Sequence, residues 1–249
     1  MSAVTYSVTD GVAHIELNRP EAANTIDMGL ARALGEAAVA AREDDGVRAV
    51  VLSGAGKRFC GGGDVSTFAD SDDPSGYVHE LATTADAGIH VLESMAKPVV
   101  SAVHGAVAGG GLGVMLSGDV VVAAEGTKFV FAYPAIGLTP DCGTSASLPR
   151  AMGQQRALAF ALSGAALTSE QALAHGLVTE VAADPLTRAH ELAATWAGGA
   201  AVAFGEARRL LRAGVTGSRQ EIGRDEAGTI SARSTSPEAQ ALFAQFLGR

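Results

Sequence analysis

Two short runs of alternating apolar and polar residues open the chain, Val4 to Val8 and Val12 to Leu17, separated by Asp10-Gly11. Period-two alternation around an Asp-Gly pair predicts a β-hairpin, because both residues tolerate the positive φ of a tight turn. Asp27 precedes a periodic apolar stretch reaching about Arg42 and is expected to cap a helix there. The pattern then changes to continuous β-branched runs at Val47 to Ser53, Val99 to Val103, Val120 to Ala123 and Leu177 to Val181. Such runs read as buried strands, and their alternation with helical stretches predicts α/β layering. Thr168 to Gln171 has the form of a capping box ahead of Ala172-Leu173. From about Leu186 only helical periodicity remains, interrupted at Gly198-Gly199, Gly214 to Ser218 and Pro237.

The stretch after Lys97-Pro98 carries the candidate chemistry. Val99 to Val103 leads through His104-Gly105 and Ala106-Val107-Ala108 into Gly109-Gly110-Gly111-Leu112-Gly113, which reads as strand, turn and helix. A glycine turn at a helix start leaves bare N–H groups facing outward, and these, with the positive end of the helix dipole, favour an anion or a developing oxyanion. Close packing of helix on strand is the other use of such glycines. A second cluster, Gly54-Ala55-Gly56-Lys57-Arg58-Phe59-Cys60-Gly61-Gly62-Gly63-Asp64, follows the strand Val47 to Ser53. Two separate loops could therefore each present one N–H.

With these motifs the chain resembles the crotonase (enoyl-CoA hydratase/isomerase) superfamily. The resemblance rests on Leu17-Asn18-Arg19-Pro20-Glu21-Ala22-Ala23-Asn24, Phe59 to Asp64 and the Gly109 to Gly113 run. It continues through Ile136-Gly137-Leu138-Thr139-Pro140-Asp141, Leu148-Pro149-Arg150, Leu162-Ser163-Gly164 and Ala174-His175-Gly176-Leu177-Val178, in that order along nearly the whole chain. It implies an α/β fold, a spiral core of repeated β-β-α units over residues 1–195, and a C-terminal helical region, 196–249, used for trimer contacts. It also implies that the N–H groups of Gly63 and Gly110 form an oxyanion hole for the thioester carbonyl of an acyl-CoA, so that an α-proton can leave as an enolate-like species.

Hydratases of the superfamily activate water with two glutamates. This sequence has Gly113 and Ala135 at those positions, so ordinary hydration is not expected. The carboxylate that remains is Asp141, among small and apolar neighbours; taken alone it reads as a cap for the helical stretch Gly143 to Met152. In the family context it matches the acid of the isomerase branch that resembles phenylacetate-type enoyl-CoA isomerases. The implied reaction takes the C2 proton of a 3-enoyl-CoA with Asp141 and returns it at C4, with no metal or prosthetic group; coenzyme A enters as part of the substrate. Aryl-CoA dehalogenases use the same aspartate position as nucleophile but require a histidine base and an aromatic cage, where this chain has Ala85-Asp86 and a lone Trp196. A CoA-thioester binder that has lost catalysis is the reading from another class.

The resemblance further places Ala22, Ala23, Gly61 and Asp64 along the CoA channel, and Arg19, Lys57 and Arg58 beside the loops that meet the nucleotide phosphates. Phe243 matches an aromatic near the family's C-terminus that reaches an active site.

Composition narrows the alternatives. The 249 residues suffice for a substantial core in one large domain or in one domain with an appendage. With 18 basic and 27 acidic side chains the formal charge is −9, which argues against a nucleic-acid footprint. The uncharged span from Pro98 to Gly118 contains His104 and six glycines, so it reads as buried strand-turn-helix rather than a membrane span. Met1 to Gly11 lacks a secretory pattern, and the expected location is cytoplasmic. Cys60 and Cys142 have neither disulfide-framework nor metal spacing, and the six histidines are scattered. Gly54-Ala55-Gly56-Lys57 lacks the remaining P-loop residues, and Val114 breaks the dinucleotide fingerprint.

Overall fold

The computed structural model describes residues 2–248. β1 (Val4–Thr9) and β2 (Val12–Leu17) form the expected hairpin, with Thr9 opposite Val12 and both Asp10 (φ 50°) and Gly11 (φ 78°) left-handed. Asp27 caps α1 (Met28–Glu43) by accepting from the Leu30 N–H at 2.8 Å. β3 (Ala49–Gly54) then pairs parallel to β2.

α2 (Val65–Ala69) and α3 (Pro74–Ser94) precede β4 (Val99–Val103), β5 (Ala106–Ala108) and α4 (Gly110–Leu116). Next come β6 (Val120–Ala124), β7 (Lys128–Val130), α5 (Thr144–Met152), α6 (Gln154–Ser163), β8 (Leu167–Thr168), α7 (Ser169–His175) and β9 (Glu180–Ala182). The main sheet runs β1-β2-β3-β4-β6-β9, parallel beyond the hairpin, and β5-β7-β8 form a small second sheet. Strand, strand, helix recurs as β4-β5-α4, the unit of the expected spiral.

One face of the main sheet packs Ile15, Leu17, Val50 and Leu52 under α1 and α3. The other packs Val51, Val100 and Val122 against Ala189, Ala193 and Ala197 of α8 (Pro185–Gly198). Residue 195, the boundary expected from the resemblance, lies within α8, which packs on the sheet. The strand expected at Leu177 to Val181 is shorter: Leu177 and Val178 are buried in the turn before β9. Their hydrophobicity serves core packing without strand pairing.

Beyond α8 lie α9 (Ala201–Gly214), α10 (Arg219–Ser234) and α11 (Pro237–Phe246). The capping box at Thr168 and Gln171 is formed on both sides, and Ser218 with Glu221 makes a second one for α10. No described helix is long and apolar enough to cross a membrane.

Candidate active site

Two glycine loops meet at the start of α4. Phe59 N–H donates to His104 O (3.0 Å), Cys60 N–H to Ala106 O (3.3 Å) and Ala108 N–H to Cys60 O (3.0 Å), so the two segments run alongside each other. Gly62 has φ +95°, and a side chain there would strike the Ala108 carbonyl at 2.9 Å; only glycine allows this approach. A side chain at Gly109 would begin 3.6 Å from Gly62 Cα, and the residues that follow these two are Gly63 and Gly110. Gly110 opens α4, where the N–H has no intrahelical acceptor. Neither N–H donates to a protein acceptor among the described residues. The two glycines expected from the sequence thus lie on adjoining loops.

Asp141 closes the third side. A side chain at Gly110 would begin 3.4 Å from Asp141 Oδ1 and 3.2 Å from both Ile26 Cδ1 and Cys142 Sγ. Asp141 is half-buried and does not cap α5 with its side chain; Gly143 occupies the cap position, and Thr144 N–H donates to the Asp141 main-chain O at 2.9 Å. The side chain is left for another role. Tyr133 Oη donates to Asp141 Oδ1 at 2.8 Å and lies 3.2 Å from Thr144 Oγ1. Burial, then the Asp141 charge, pushes the Tyr133 phenol well above its ordinary range, so it keeps its proton.

The position of the first hydratase glutamate, Gly113, is closed rather than merely empty. A side chain there would run into the Cys142 carbonyl. The second, Ala135, lies exposed in the turn Tyr133–Ile136. Asp86 approaches from α3, with Oδ1 3.6 Å from where a Gly143 side chain would begin. Both cysteines are buried; burial pushes the Cys60 thiol up to about 12 and raises Cys142 further, with Asp141 adding to each. They fill space as protonated thiols.

On the expected CoA side, Ala23 O accepts from Gly61 N–H at 2.9 Å, Gly62 O from Ile26 N–H at 2.7 Å, and Ile26 O from Asp64 N–H at 3.0 Å. Ala22 ends the short turn Pro20–Ala22 beside this seam. Asn24 is fully buried, and its amide donates to the Ala55, Arg58 and Phe59 carbonyls at 2.9, 2.8 and 3.1 Å.

Arg19 does not stand as a free cation. Its guanidinium lies 3.1 Å from both Asp27 and Asp64 and donates to Thr25 O at 2.6 Å. Burial raises the Asp64 carboxyl, but hydrogen bonds from Ser66, Arg19 and Thr25 outweigh that and hold it below its usual range. Arg19 and Asp64 therefore fasten the Gly61–Gly63 loop. Lys57 and Arg58 are exposed, with no ion pair among the described residues.

Phe243 is not brought to this site: α11 packs on α10, and the ring is 48% exposed beside Phe246. A cavity of about 710 Å3 opens beyond the other end of α4, near Leu116, Trp196 and Arg212, and holds none of these residues.

Tyr133, Thr144, Asn24 and Asp86 went unassigned from the sequence. Asn24 alone left a signal, sitting inside the quoted motif; the others depend on chain approaches that no local pattern encodes.

The enoyl-CoA hydratase/isomerase family model matches residues 7–240. The chain belongs to this family. It is 37% identical over 188 residues, 74% of its length and 71% of the relative's, to the 1,2-epoxyphenylacetyl-CoA isomerase of Escherichia coli. To the trans-2-decenoyl-[acyl-carrier-protein] isomerase of Streptococcus mutans it is 35% identical, covering 72% of this chain and 68% of that one. A solved structure from Mycobacterium abscessus, described as an enoyl-CoA hydratase/isomerase, superposes with a TM-score of 0.92 at 37% identity, over 99% of this chain and 96% of that one. The family members it resembles thus carry both isomerase and hydratase names, and the chain is an enzyme of this family with the crotonase fold.

Proposed function

We propose that this chain isomerises a 3-enoyl-CoA to the 2-enoyl-CoA, with Asp141 as the single proton shuttle. Gly63 and Gly110 donate to the thioester oxygen. As the C2 proton moves to Asp141, charge gathers on that oxygen, and two fixed donors stabilise the dienolate; one such donor is worth about 3–4 kcal/mol in comparable holes. The proton then returns at C4, so atoms and charge balance without a second acid or an external reductant.

The observation that carries this reading is the placement of one carboxylate beside Gly110 while the Gly113 position is shut by the Cys142 carbonyl. Water activation by two carboxylates has no room at that position. Both of these relatives are named as isomerases, the Streptococcus mutans one for an alkenoyl thioester and the Escherichia coli one for an epoxide. For the phosphates of coenzyme A, Lys57 and Arg58 are the unengaged cations of this loop. An assembly of three copies, or two such rings, would cover the apolar tail and give Phe243 a partner surface.

The test is turnover of 3-enoyl-CoA thioesters, aliphatic and ring-bearing, with chromatography of products. Double-bond migration without hydration supports the reading. Asp141→Asn should lower kcat by at least about a hundredfold and leave thioester binding intact. A 3-hydroxyacyl product from the wild type would replace isomerisation with hydration.

A further inference from the structure

The hydroxyl of Tyr133 answers to no part of the reaction as described so far. It is held inside the protein at the start of the turn Tyr133–Ile136, three residues past β7, where the chain turns outward into the exposed segment 134–139 and comes back at Asp141. The ring is buried and stacks edge-on to Phe131 at 5.1 Å between centroids. The hydroxyl lies between Asp141 Oδ1 at 2.8 Å and Thr144 Oγ1 at 3.2 Å, and Thr144 is fully buried. It bridges eight residues of sequence, tying the two ends of that segment together.

We infer that Tyr133 is a positioning residue for Asp141: its phenol holds one carboxylate oxygen against the Gly110 side of the site, with Thr144 completing a buried line of hydroxyls behind it. The inference rests on the isomerase reading above.

Three physical consequences follow from this geometry. A hydrogen bond donated to a carboxylate favours its charged, proton-accepting form. The phenol, kept protonated by burial and by the Asp141 charge, can only donate to the carboxylate and cannot compete as a base. Fixing one oxygen also limits rotation of the carboxylate about its own axis, which keeps it within reach of C2 and C4 during a single residence of substrate. Among the described residues, Cys142 and Cys60 feel the Asp141 charge, and Asp86 of α3 reaches Cys142 beside it. Both thiols stay protonated, so the phenol is the donor whose loss the base would register.

The experiment compares wild type with Tyr133→Phe, which keeps the ring against Phe131 and removes only the hydroxyl. Steady-state rates on a 3-enoyl-CoA are measured alongside deuterium wash-in at C2 of a saturated acyl-CoA in D2O. Wash-in needs the base and the oxyanion hole but no double bond. The expected result is a kcat roughly ten- to a hundredfold lower with little change in KM, both reactions slowed together. The split between kcat and KM, with wash-in falling in step, marks a base held out of place rather than a lost binding contact. Thr144→Val should show a weaker form of the Tyr133→Phe loss, and Thr144→Ser, which restores a hydroxyl, should recover kcat relative to Thr144→Val.

Unchanged kcat and wash-in in Tyr133→Phe would overturn the positioning role. A rise in KM with kcat and wash-in unchanged would overturn it too, by reducing the contact to packing. A wild type that shows neither isomerisation nor wash-in would instead overturn the reading beneath it, and that outcome is visible before any variant is made.

Discussion

At the scale of single residues, the site is defined as much by where side chains cannot go as by those present. Gly113 is the sharpest case. Restoring the hydratase residue with Gly113→Glu should create no hydratase activity, because the added side chain meets the Cys142 carbonyl and displaces Asp141's neighbour. A fall in stability of about 1–3 kcal/mol is expected from such overpacking, read as a lower thermal midpoint. Hydration of a 2-enoyl-CoA by a well-folded Gly113→Glu would refute the steric argument. Arg19 carries a related lesson: on the chain it is simply a cation beside a glycine loop, yet its guanidinium is taken up by Asp27 and Asp64. Sequence position put Arg19 beside that loop and left the engagement of the charge unspecified.

Among elements, α9 shows how the helical tail is joined to the core. Arg208 is 6% exposed; its Nε pairs with Asp119, and its other nitrogens donate to the carbonyls of Leu92, Glu93 and Met95 at the end of α3. Asp119 in turn accepts from Arg212 and from Val99 N–H at the head of β4, each at 2.8 Å. One helix is thereby tied to α3, β4 and the turn after α4. Arg208→Ala leaves those acceptors without their donor and should cost about 3–5 kcal/mol, measured by denaturant unfolding. If the cost stays below that of an ordinary surface substitution, the network is not what docks α9. The hairpin and the caps of α1 and α7 were readable in advance because a cap or a two-residue turn involves neighbours in sequence. The second sheet was not, since three strands of two or three residues have no periodicity of their own.

For the whole molecule, two tests follow. His14 lies half-buried between the sheet and α8, 2.7 Å from Ser53 Oγ and edge-on to His190 at 5.0 Å. Burial, then His190, lowers its pKa below the ordinary 6.5, against a smaller opposing effect of Glu16. The unfolded chain therefore takes up this proton first as pH falls, and stability should be full above about 6.5 and decline below it. Thermal midpoints at pH 7.5 and pH 5.5 check this, and His14→Gln should flatten the difference. The second test concerns the exposed tail side chains Leu211, Ile230 and Phe246, at 76%, 71% and 89% exposure. Sedimentation should find a multiple of the 25.0 kDa chain, and a monomer at all concentrations would leave that apolar surface unexplained. The sequence by itself determined the family, the alternation of strand and helix, the two glycine loops and the surviving aspartate. All of these are local patterns, written in residues close together along the chain. Only the tertiary structure decided that Gly113 is closed by a carbonyl, that Arg19 is neutralised, that Asp141 is free of the helix cap and that Tyr133 holds it. Each of these depends on a distance between atoms on separate elements, and such distances are set by packing, which no local spacing encodes.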